Sequence, residues 1–174
     1  MATEQTVTVN GIQFDNTNPY AIAGNGEVVL AGDTDVSPGP STLSVLQGGH
    51  QFQVEVTLDN DTTVDVASGS TLVFNNALNL NGQTLTKTGD GTLTINNQLN
   101  SGGGTVIGLS GMINGFGVVG GSLDNQSAML SPGGSSGALT VAGDVSGQVP
   151  EPSTAVLIGL GAIAWAATRR RRRN

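Results

Sequence analysis

The 174-residue sequence contains no cysteine. That excludes disulfides, thiolate zinc sites and a cysteine nucleophile. Charge is scarce as well, at 11% of residues, against about a quarter in an ordinary domain. Aromatic residues number only four Phe, one Tyr and one Trp. Basic residues are rarest of all in the first 150 positions, where Lys87 stands alone against every acid of the chain except Glu151. Nucleic acid is therefore excluded as a partner of this acidic body, because phosphate binding needs a basic patch. Helical periodicity is also missing, since no window of the body holds a capped 3.6-residue repeat.

What is present is glycine, 27 residues of it, about twice the ordinary share. Asn, Thr and Ser supply the remaining polarity. Disordered chains are usually highly charged and poor in β-branched residues, whereas this body is rich in Val, Ile and Thr. Short β-forming stretches alternate with Gly, Asn, Asp and Ser from residue 5 to residue 149. The pattern predicts strands at Thr6–Val9, Ile12–Phe14, Glu27–Leu30, Thr42–Leu46, Gln51–Leu58, Thr62–Val66, Thr71–Phe74, Ala77–Leu80, Thr84–Lys87, Thr92–Ile95, Thr105–Ile107 and Ala138–Val141. QFQVEVTL alternates strictly, placing Phe52, Val54, Val56 and Leu58 on one face. Asn-Gly pairs at 10–11, 25–26, 81–82 and 114–115 mark turns.

A phrase recurs without strict spacing: GSTLVF (69–74), GQTLTK (82–87), GTLTI (91–95), GGTVIG (103–108) and GALTV (137–141). Strands this short suit the rungs of a parallel β-helix better than a sandwich. Each rung cannot bury its apolar face alone, and stacking supplies the core. The expected fold is all-β, a β-solenoid over residues 1–149 of about six rungs at roughly 20–25 residues each.

LTKTGDGTLTINNQLNSGGGTVIGLSG, residues 85–111, resembles the autotransporter-associated β-strand repeat. Leu85, Lys87, Gly89, Gly91, Thr92 and Leu93 occupy the family's places. LSPGGSSGALTVAGD, residues 130–144, is similar to the phrase that closes such passenger-like regions. The resemblance implies a right-handed parallel β-helix on an exported surface protein. The family's C-terminal membrane barrel has no counterpart in these residues, so self-export is not expected.

Sites of chemistry are few. GFGVVG (115–120) matches a dinucleotide-binding spacing, but that motif needs a following helix and GSLDNQSAMLSPGG cannot pack as one. His50, the only histidine, has no partner for a triad or a zinc site and reads as a turn residue beside a strand. Asp59, Asn60, Asp61 and Asp65 form the densest oxygen cluster, yet the spacing of a calcium loop fails. A solvated turn is the expectation there and at Asp33 and Asp35. Paired carboxylates for glycoside hydrolysis lack the aromatic platform that sugars usually need. No catalytic residue, cofactor or metal site is expected.

The last residues break with all of this. Pro150-Glu151-Pro152 makes a stiff, extended linker. An uncharged run follows over 153–168, with its apolar heart at Ala155–Ala167, and then Arg169, Arg170, Arg171, Arg172 and Arg173. As a helix the heart spans about 20 Å, against a hydrocarbon core of about 30 Å, so spanning needs the flanking residues and snorkelling arginines. The arginine block stays cytoplasmic by the positive-inside rule, which leaves the body outside.

Triplet, short apolar helix and terminal arginines together resemble the PEP-CTERM sorting signal, over residues 150–174. The resemblance implies processing by an exosortase, a membrane cysteine protease, in Gram-negative bacteria that make exopolysaccharide. The tail is then an address and a transient inner-membrane anchor, removed near Pro150–Pro152. Against export stands the start MATEQTVTVNG, which lacks the basic and apolar regions of a secretory signal. The expectation is a sequence that begins within a longer solenoid, truncated at its N-terminus.

The function expected is that of a non-enzymatic exported surface or matrix protein, adhesin-like, whose partners are the exosortase and an exopolysaccharide or another surface polymer. The alternatives are a fragment of a polysaccharide-acting enzyme and a carbohydrate-binding module.

Overall fold

The computed structural model describes residues 5–32, 39–132 and 138–147. Within these residues twenty short strands wind as six three-stranded turns and the start of another. The first turn holds β1 (Thr6–Val9), β2 (Gly11–Asp15) and β3 (Ala21–Ile22). The second holds β4 (Glu27–Leu30), β5 (Ser41–Gln47) and β6 (Gly49–Phe52), and the third β7 (Glu55–Leu58), β8 (Thr62–Val66) and β9 (Thr71–Phe74). Next come β10 (Leu78–Asn79), β11 (Thr84–Thr88) and β12 (Thr92–Ile95), then β13 (Gln98–Asn100), β14 (Thr105–Gly108) and β15 (Met112–Gly115). The sixth turn is β16 (Val118–Val119), β17 (Ser122–Asn125) and β18 (Met129–Pro132), followed by β19 (Thr140–Val141) and β20 (Val145–Gly147).

Every third strand pairs in parallel, so the chain builds three sheets. Sheet A runs β1-β4-β7-β10-β13-β16-β19, sheet B runs β2-β5-β8-β11-β14-β17-β20, and sheet C runs β3-β6-β9-β12-β15-β18. All observed pairings are parallel, as the solenoid reading requires.

The alternation of each strand explains the core. On sheet A, Val28, Val56, Leu78, Leu99 and Val119 are register partners in successive turns and all are buried. On sheet C, Leu72, Leu93 and Ile113 form a second inward row, and Phe52 stacks on Phe74 with centroids 5.2 Å apart. Each such fully buried side chain contributes roughly 1.5–3 kcal/mol over its exposed state. No rung holds enough of them to stand alone, but the sheet A row is continuous from the second turn to the sixth.

The recurring phrase now has a physical reading. Four of its five copies open β9, β11, β12 and β14, which alternate between sheets C and B, and the fifth runs into β19 on sheet A. The fourth turn uses it on two sides, β11 and β12, so its spacing follows side length rather than turn length. Its Leu or Val is the inward residue (Leu72, Leu85, Leu93, Val106) and the preceding Thr points outward. Glycines shape the corner between sheets B and C. Gly89 and Gly111 both have φ of +71°, and a Cβ on Gly89 would lie 2.3 Å from the Val66 carbonyl oxygen.

Two strand expectations need correction. Gln51–Leu58 is not one strand but the end of β6, a corner at Gln53–Val54, and β7. Phe52, Val54, Val56 and Leu58 do all face the core, because the chain turns around that core without changing its inward parity. The strands β3, β13, β15, β16, β17, β18 and β20 were not expected; sequences such as QLN, MING and SLDN carry only one or two apolar residues each. Among the described residues no helix is long and apolar enough to cross a membrane. The helix expected over 153–168 lies outside the described residues.

Candidate functional site

The outer faces of the solenoid are polar, and two of them are hydrogen-bonded ladders. Stacked turns place equivalent side chains side by side, so residues 20 to 24 positions apart become neighbours. On sheet A the Asn100 amide donates to Asn79 Oδ1 (2.7 Å), and the Asn79 amide donates in turn to Glu55. The Thr57 hydroxyl on the same face donates to Glu27. At the end of sheet C, Asn96 Nδ2 donates to Asn75 Oδ1 (2.9 Å), and Asn75 Nδ2 to Gln51 Oε1 (2.7 Å). Asn76 and Asn97 close successive corners by accepting the N–H of the next residue, each at 2.8 Å. The sheet C chain satisfies its polar groups without charge, while the sheet A bonds end on the carboxylates of Glu55 and Glu27.

The single lysine points inward. Lys87 lies in the inward row of sheet B between Val64 and Gly108 and is fully buried. Its ammonium donates to the carbonyls of Thr88 (2.5 Å), Gly89 (2.7 Å) and Ser110 (3.4 Å), joining the corners of two successive turns. Burial pushes its pKa below the ordinary lysine value, and the carboxylates of Asp65 and Asp90 oppose the shift. Gly111 leaves the room it occupies: a Cβ there would come within 2.9 Å of Nζ. Lys87 thus acts as an internal staple. It offers no positive charge to a partner.

His50 corrects the turn reading. It sits in β6, 1% exposed, with its ring stacked on Phe14 at 4.6 Å and on Tyr20 at 5.5 Å. Nδ1 accepts the Tyr20 N–H and Nε2 lies 2.9 Å from the Gln47 carbonyl, to which its hydrogen is donated. A buried imidazole with both nitrogens bonded is a core residue.

The acidic cluster is also occupied with structure. Asp61 Oδ1 accepts the Thr84 N–H (2.7 Å), Asp65 Oδ1 accepts the Thr88 hydroxyl (3.0 Å), and Asn60 donates to the Gly39 carbonyl (2.8 Å). Among the described residues no group of three or more His, Asp or Glu side chains is placed to hold a metal ion. Asp33 and Asp35 lie outside them. GFGVVG spans the end of β15, a corner and β16, and strand β17 stands where a phosphate-binding motif would need a helix.

Pro150, Glu151, Pro152 and Arg169–Arg173 lie outside the described residues. Their identification comes from comparison with known families. Residues 148–172 match the model of the PEP-CTERM protein-sorting motif. The motif implies an exported protein sorted through its C-terminus, and it is the substrate signal for exosortase processing. This chain is therefore a β-solenoid joined to a C-terminal sorting motif. No curated protein and no solved structure matched the chain.

Proposed function

We propose that the protein is a structural, adhesin-like component of the bacterial surface or extracellular matrix, with no catalytic activity of its own. The tail would hold the exported chain in the inner membrane through 153–168, with Arg169–Arg173 on the cytoplasmic side. An exosortase would then cut near Pro150–Pro152, and the β-solenoid would be attached to the surface or released. The observation that carries the reading is the sorting motif at 148–172 on a body made of stacked ladders. A rod whose carboxylates and amides are tied between turns supports a mechanical role. It also supports contact with a repetitive partner, such as an exopolysaccharide. The resemblance of residues 85–111 to the autotransporter-associated repeat points the same way.

The test is fractionation of a host that carries an exosortase, expressing the chain behind a working signal peptide. The unaltered chain is expected at the surface or in the medium. A variant with Pro150→Ala, Glu151→Ala and Pro152→Ala is expected to stay with the inner membrane. Equal distribution of the two would overturn the proposal.

A further inference from the structure

The third outer face is tied mainly toward its edges and its C-terminal end, where Gln47 donates to Asp15, Thr88 to Asp65 and Ser146 to Asp124. On sheets A and C the outward amides bond to one another, as described. At the centre of sheet B, Thr42, Thr63 and Thr86 are register partners in three successive turns. None of their hydroxyls hydrogen-bonds to another described residue. Asp61 and Asp65 flank Thr63, and Thr84 and Thr88 flank Thr86, at alternate positions on the same face. Both carboxylates use only Oδ1 within the rod. The array borders an open groove of about 310 Å³ lined by Pro40, Asp61, Thr63, Thr84 and Thr86.

The geometry and the charge select a ligand. Turns rise by about 4.8 Å, the strand spacing of a sheet, so Thr42, Thr63 and Thr86 offer three hydroxyls at that interval along the rod axis, in a row that begins after Gly11 and ends at Ile107. Its binding groups are hydroxyls and carboxylate oxygens, with no aromatic platform among the groove residues, so recognition rests on hydrogen bonds alone and suits a partner carrying many hydroxyls. Lys87 is the only Lys or Arg among the described residues and it is buried, as is His50. An anionic chain would meet Asp61 and Asp65 with no cation to offset them.

We infer that the Thr42–Thr63–Thr86 face of sheet B binds an uncharged, hydroxyl-rich glycan chain laid along the rod axis. This deepens the surface-protein reading by giving its partner a charge class and a place. The hydroxyls act as donors and acceptors to sugar hydroxyls. Asp61 and Asp65 accept from the sugars on either side of the central row.

Affinity electrophoresis of the full chain in mild non-ionic detergent tests this. The gels contain a neutral α-1,6-, β-1,3- or β-1,4-glucan, or the anionic polymer alginate. At least one neutral glucan is expected to retard the chain, and alginate is not. Thr63→Val with Thr86→Val keeps shape and removes two hydroxyls, and should weaken retardation about ten- to thirty-fold at roughly five-fold per lost hydrogen bond. The control, Thr71→Val with Thr92→Val on sheet C, should bind like the unaltered chain, with far-UV circular dichroism confirming that both fold. No retardation by any neutral glucan, equal retardation by alginate, or an unaffected Thr63/Thr86 variant would each overturn the inference. The fractionation above contains no glycan step, so a failure of sorting and a failure of binding are read separately.

Discussion

Replacing Lys87 separates two contributions that the structure joins in one side chain. Its stem fills space in the inward row of sheet B, and its ammonium satisfies three carbonyls. Lys87→Met keeps most of the stem and removes the donors. The three oxygens then lose a charge-assisted partner, but the cost of burying the ammonium also disappears. With hydrogen bonds to a charged group worth about 1.5–3 kcal/mol, a net loss of about 1–2 kcal/mol is expected. Lys87→Ala removes three methylenes as well, at about 0.8 kcal/mol each, so it should cost about 2–3 kcal/mol more. The ammonium has its own signature in pH. Because the folded-state pKa is lowered, the unfolded chain binds more protons between that pKa and the ordinary lysine value of 10.5. Stability from this group therefore rises with pH across that window. Urea unfolding of the full chain in mild detergent, followed by far-UV circular dichroism from pH 7 to 10.5, gives the comparison. The gap between the unaltered chain and Lys87→Met should widen as pH rises. A gap that stays flat or narrows would refute the reading of Lys87 as a buried ammonium.

Two further predictions probe the stack. Leu93→Ala should cost about 2–5 kcal/mol, because Leu93 is fully buried between Leu72 and Ile113, while Thr94→Ala on the outer side of the same strand should cost about 1 kcal/mol or less; comparable urea midpoints for the two would contradict the inward and outward assignment. Asn79→Asp places a carboxylate beside Glu55, to which Asn79 now donates. The new carboxyl should have a raised folded-state pKa, so the variant should be destabilised at neutral pH and recover as pH falls toward 4. A thermal melt showing no acid recovery would contradict the ladder.

Much of the solenoid was legible in the sequence, and for a local reason. The bounds of β1, β4, β8, β9 and β12 coincide with the apolar alternation of their own residues. The later turns were harder to see. A strand such as Ser122–Asn125 carries one inward Leu, and its identity as a strand comes from Val106 and Val145 beside it, 17 and 22 residues away. Single-strand patterns do not contain that stacking information. His50 was misread because its partners Phe14 and Tyr20 belong to the preceding turn. The role of Lys87 was hidden too, since nothing local marks a lysine as inward-facing. The threonine face was legible only as composition; the register that aligns Thr42, Thr63 and Thr86 had to come from the fold. The C-terminal motif was the opposite case, readable from residue order alone.

That motif carries the functional account, so the most direct test is the mass of the product. The chain, placed behind a working signal peptide, is expressed in a host with an exosortase and in the same host without it, and intact masses are compared. The account predicts loss of the mass beyond about Pro150 only where the enzyme is present. An intact tail in both hosts, with the chain stably bound to the membrane, would contradict it and make residues 153–173 a permanent anchor.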